Sequence, residues 1–132
     1  MDPERYIPIT IGPSGNWREG VDFTALRDDE EGFRVLVVDR SDRFPHPYII
    51  RFPKPTAYRN CDEGKRLKSL CEQDLSVSSL FRVENSEFAA WLNVQSGYTG
   101  EMAFTTYAIA THNDWIEVIS ASPPEIVDAW ET

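Results

Sequence analysis

Basic residues vanish from the chain after Arg82. Residues 83–132 hold eight carboxylates (Glu84, Glu87, Glu101, Asp114, Glu117, Glu125, Asp128 and Glu131) and no Lys or Arg, whereas residues 1–82 hold 13 basic and 14 acidic side chains. Nearly all of the formal net charge of −9 therefore arises in the last part of the chain. Such a segment repels nucleic acid and anionic membrane and steers a basic partner toward itself. The competing reading is a solvated face that keeps a small protein soluble.

Cysteine is scarce too. Cys61 and Cys71 lie ten residues apart, in no C-x-x-C pair and at no metal-ligand spacing, so reduced thiols are expected and no metal. Cys71 falls at helical spacing with Leu67 and Leu70, as a small core residue would. The longest aliphatic run, Val35–Val38, falls far short of the roughly 20 residues that a membrane-spanning helix requires. The start, Met1-Asp2-Pro3-Glu4-Arg5, has no apolar run of the secretory type, and a cytoplasmic location is expected.

Enzymatic motifs are missing as well. Gly12, Gly15 and Gly20 lack the strand-to-helix context of a phosphate-binding loop, and there is no G-x-S-x-G elbow or H-E-x-x-H pair. The only histidines are His46, between two prolines, and His112, in a turn signal, and both read as loop residues. The run Asp28–Glu31 reads as a surface turn rather than a cation site. We therefore expect no enzyme and no cofactor; the rival is a cryptic site combining His112 and Asp114 with Cys61 or Cys71. A basic middle (Arg40, Arg43, Arg51, Lys54, Arg59, Lys65, Arg66, Lys68) interleaves with Tyr48, Phe52 and Tyr58, as a stacking groove for single strands would. The acidic total weighs against nucleic acid.

The chain does contain a core. Its 132 residues fit one domain (1–132), and 41% hydrophobic with 12% aromatic residues are ordinary globular values. The centre is Ala103–Ser120, two β-branched and aromatic runs around His112-Asn113-Asp114, read as a hairpin whose strands are covered on both faces. Arg5–Ile11 contains Pro8 and reads as an edge strand or arm within 1–16. Trp17–Leu26 alternates as a short strand, and Phe33–Asp39 and Tyr48–Phe52 pair as a long hairpin. Thr56–Asn60 reads as a loop before a helix capped by Asp62 that carries Leu67, Leu70 and Cys71. Ser79–Val83 is a strand, and Asn85 or Ser86 caps a second helix with Phe88, Trp91 and Leu92 on its apolar face and Gly97 as its stop. Residues 122–132 form a C-terminal extension, with a helical turn over Glu125–Trp130. The fold class is α+β: a mostly antiparallel sheet of about five to seven strands with two helices packed against it.

Two groups of residues carry a family resemblance. One is Arg51–Gly64 (RFPKPTAYRNCDEG). The other is Val83–Trp91 (VENSEFAAW) followed by Gln95-Ser96-Gly97, Tyr107-Ala108-Ile109 and Thr111–Ser120 (THNDWIEVIS). Together they resemble a family of small bacterial proteins, some of them from toxin–immunity gene neighbourhoods of the contact-dependent inhibition type. The resemblance spans roughly residues 34–122. It implies a single-domain, cytoplasmic, non-enzymatic binder whose partner is a protein, a cognate toxin domain such as a basic nuclease. On that reading Glu84, Glu101, Asp114, Glu117, Asp128 and Glu131 supply steering and ion pairs, and Trp115 or Trp130 is the aromatic anchor. The alternative is a homo-oligomeric structural or regulatory module, expected if the second helix is exposed; the oligomeric state is left open.

Overall fold

A computed structural model describes residues 3–40, 45–53, 55–62, 78–96, 104–112 and 114–131. Nine strands and one α-helix occur among them: β1 (Arg5–Pro8), β2 (Val21–Asp29), β3 (Gly32–Asp39), β4 (His46–Phe52), β5 (Pro55–Asp62), β6 (Leu80–Glu84), α1 (Glu87–Ser96), β7 (Thr105–Ala110), β8 (Asp114–Ser120) and β9 (Glu125–Asp128). They form two antiparallel sheets with strand orders β1-β6-β7-β8-β5 and β2-β3-β4-β9. The expected antiparallel character is present, but there are two sheets instead of one, and one described helix.

The sheets face each other because their strands alternate. Val21, Phe33, Val35, Val37, Ile50 and Phe52 of the four-stranded sheet meet Leu80, Tyr107, Ile109, Ile116 and Val118 of the five-stranded sheet, with Trp17 in the same cluster. Burial of this inner layer is the main stabilising term, worth about 1.5–3 kcal/mol for each fully buried large apolar side chain. The β7–β8 hairpin is central, with Tyr107 opposite Val118 and Ile109 opposite Ile116. Its other face is buried too: Ala108 and Trp115 cluster with Tyr6, Phe81 and Val83. Coverage of both faces accounts for the nearly continuous apolar runs of β7 and β8.

The β2–β3 turn is Glu30-Glu31, after which Gly32 takes φ +102°, a conformation that favours glycine. Asp29 Oδ1 accepts the Glu31 N–H (2.9 Å), a bond that suits Asp to turns. Helix α1 begins as expected, with Ser86 Oγ accepting the Ala89 N–H (3.1 Å). The N-terminal arm completes this cap, since Glu4 Oε2 accepts the Glu87 N–H (3.0 Å). No described helix is long and apolar enough to cross a membrane.

Three local expectations are corrected. Thr56–Asn60 is part of strand β5, not a loop: it pairs with β8 as the edge of the larger sheet, where Pro55 at the first position removes no needed donor. Glu125–Asp128 is strand β9 rather than a helical turn; it pairs with β4, Ile126 opposite Ile50, and only Ala129–Glu131 coils, as a 3₁₀ turn. The C-terminal segment is thus integral to the smaller sheet. Trp91 of α1 is 56% exposed, whereas Phe88 is buried. Asp62 ends β5; the rest of the expected first helix, and Gly97, lie outside the described residues.

Candidate partner-binding surface

The eight residues expected to meet a partner do not share one surface. Trp115 and Glu117 are corrected outright as surface groups: they are 1% and 0% exposed. Both point to the second face of the five-stranded sheet because they are two residues apart on β8. There the Glu117 carboxylate accepts from Trp115 Nε1 (2.7 Å) and from Arg59 Nη2 (2.9 Å), and the Arg59 guanidinium lies 4.7 Å from the Phe88 ring centroid of α1. A buried carboxylate is tolerated when it is paired and hydrogen-bonded in this way. Its role is to tie β5, β8 and α1 together.

Glu84 and Asp114 stand at opposite ends of the same sheet. Glu84 follows Val83, which faces Thr106 near the start of β7, whereas Asp114 opens β8 beyond the end of β7. Glu84 lies 3.6 Å from Arg82, and the Asp114 N–H donates to Thr111 Oγ1 (3.0 Å). Glu101 lies outside the described residues. A segment that is uniformly acidic in sequence is thus dispersed in space, and part of its charge is neutralised.

Asp128, Trp130 and Glu131 do converge. Strand β9 ends at Asp128 beside β4, and the 3₁₀ turn projects Trp130, which is 65% exposed. Asp128 fixes the turn from both sides: Oδ2 accepts from His46 Nε2 (2.6 Å) and Oδ1 accepts the Trp130 N–H (2.9 Å). The His46 ring lies between two aromatics, with centroids 4.8 Å from Tyr48 and 4.1 Å from Trp130. Beside this cluster runs a groove of about 480 Å³, lined by Pro13, Tyr48, Ile126, Val127, Asp128 and Glu131. Apolar walls, an exposed indole and a carboxylate at the rim are the components of an interface anchor.

In the sequence His46 and Pro13 carry no binding signal, and Tyr48 reads only as a stacking residue of the basic middle. His46 and Tyr48 reach Asp128 only through the β4–β9 pairing, and no local pattern announces a pairing across about eighty residues.

His112 is exposed, and its Nδ1 accepts from Arg40 Nη1 (2.6 Å); Arg40 Nε lies 3.5 Å from Asp22. Cys61 is the backbone register partner of Trp115 in the β5–β8 pairing, and Cys71 lies outside the described residues. Among the described residues no three His, Cys, Asp or Glu side chains are grouped to hold a metal. No protein-family model, curated protein or solved structure matches the chain.

Proposed function

We propose that this is a non-enzymatic binding protein that captures a basic protein partner at the C-terminal edge of its smaller sheet. The observation that carries the reading is Trp130, held in solvent by Asp128 next to an apolar groove and Glu131. A large indole exposed on an ordered turn gains binding energy at little ordering cost. The net charge of −9 favours rapid encounter with a cationic surface even though the carboxylates are dispersed. The resemblance to immunity proteins supplies the biological form of the proposal: a cytoplasmic protein that neutralises a toxin domain, such as a basic nuclease, encoded next to it.

Co-expression with the C-terminal domain of the neighbouring gene's product tests this reading. Co-purification should survive Glu84→Gln and fail with Trp130→Ala or Glu131→Lys. Equal recovery with all three variants would overturn the assignment of the surface.

A second reading is favoured by α1, where Trp91 is 56% and Val94 77% exposed one helical turn apart. These side chains suit self-association. Solution mass that rises with concentration and returns to one chain in Trp91→Ala would support it; a concentration-independent single-chain mass would exclude it.

A further inference from the structure

The outward residues of the four-stranded sheet break a rule of sheet construction. Arg27 stands opposite Arg34, and Arg34 opposite Arg51, with Glu125 next in the row. Three guanidinium-bearing residues thus lie in one line across β2, β3 and β4, where directly opposed like charges destabilise a sheet. Only the middle one is neutralised: Arg34 is buried, 2.8 Å from Asp29 Oδ2 and 2.5 Å from Glu31 Oε2. Among the described residues no ion pair reaches Arg27 or Arg51, and Arg51 Nε is buried without a partner.

The next row on the same face is apolar, with Ala25, Leu36, Ile49 and Val127 in register. Two positions along a strand separate the rows, roughly 7 Å. Both rows border a concavity of about 730 Å³, closed at one end by the acidic turn. That volume lies in the range of small-molecule sites. Two of the three acidic side chains at that end are engaged by Arg34, so that among the described residues Arg27 and Arg51 are the guanidiniums of the lining without an ion pair, while its three arginines and three carboxylates balance in charge.

We propose that this outer face binds a small amphipathic anion, its carboxylate or phosphate head on Arg27 and Arg51 and its apolar body on Leu36 and Ile49. Guanidinium forks match the planar, two-oxygen geometry of such a head. The net charge of −9 repels polyanions such as nucleic acid or an anionic membrane more strongly than a small anion of one or two charges, so the ligand is a compact one. The residues lining this concavity are not those of the C-terminal groove: Tyr48 and Ile126 share the inward side of the sheet with Val37 and Ile50, and Val127, at the β9 edge of the outward apolar row, lines the groove but not the concavity. Each proposal can therefore fail alone.

Amide chemical shifts of the full chain, followed during titration with octanoate and in parallel with inorganic phosphate, test the proposal. Octanoate should shift the amides around Arg27, Arg34–Leu36 and Ile49–Arg51. Its affinity should fall about tenfold in Arg27→Gln or Arg51→Gln, as expected for losing one charge-assisted hydrogen-bonding partner, and recover partly in Arg51→Lys. Ile49→Thr should weaken octanoate and leave phosphate unchanged. If the Gln variants fail to fold, the wild-type titration should still weaken with added sodium chloride. Absence of shifts on this face with either probe, or equal octanoate affinity in folded Arg27→Gln/Arg51→Gln, would overturn the site. Phosphate binding as tightly as octanoate would overturn the amphipathic ligand class.

Discussion

The five-stranded sheet and the four-stranded sheet share one core and differ on their far sides. Beyond the core, the five-stranded sheet carries Tyr6, Phe81, Trp115 and Glu117, all buried, so that a charged residue has become a structural element. The smaller sheet carries Arg27, Leu36, Ile49 and Arg51, which border an open concavity, and its β9 edge bears the exposed Trp130. Trp115 and Trp130 have the same chemistry fifteen residues apart, yet one is wrapped by the fold and the other is presented to solvent. Whether a tryptophan is buried or exposed is thus set by its place in the fold: Trp115 lies within β8 on a covered face, and Trp130 in the turn that follows the edge strand β9.

The largest effect that would break this contrast is at Trp115. Trp115→Ala should cost about 3–5 kcal/mol of stability, read by urea denaturation, because it removes a fully buried indole. A cost near zero would mean that the second face of the five-stranded sheet is not core. Glu117→Ala should cost about 3 kcal/mol or more, since it leaves Arg59 and Trp115 Nε1 without their shared acceptor. Glu117→Gln should cost less, because its one carbonyl oxygen can still accept. Asp128→Ala should cost about 1 kcal/mol, through loss of the half-buried bond to His46 and of the turn bond to the Trp130 N–H. Trp130→Ala should change stability least, by about 0.5 kcal/mol or less, as expected of an exposed position. Thermal unfolding of the five variants side by side ranks them.

The strongest patterns in the sequence were the most legible. Phe33–Asp39 against Tyr48–Phe52, and the hairpin within Ala103–Ser120, follow from alternation and turn chemistry and occur as β3–β4 and β7–β8. The Ser86 cap was equally readable, because capping is local. Strand β5 was hidden by polar residues and flanking prolines that only an edge position tolerates, and β9 by a proline pair that reads as a helix start. The acidic segment misled most. Charge counted along the chain says nothing of where strands carry it, and Glu117, Asp128 and Glu84 end at three places, each beside a basic or histidine partner.

The central claim is that Trp130 is presented for binding and is dispensable for folding. It is tested most directly by calorimetric titration of the C-terminal domain of the neighbouring gene's product into the wild-type chain and into Trp130→Ala, with the melting temperature of each recorded. The account predicts wild-type binding and a loss of about 2 kcal/mol, roughly thirtyfold in affinity, in the variant, at a nearly unchanged melting temperature. Binding that is equal in the two chains, or a wild-type chain that does not bind, would contradict it.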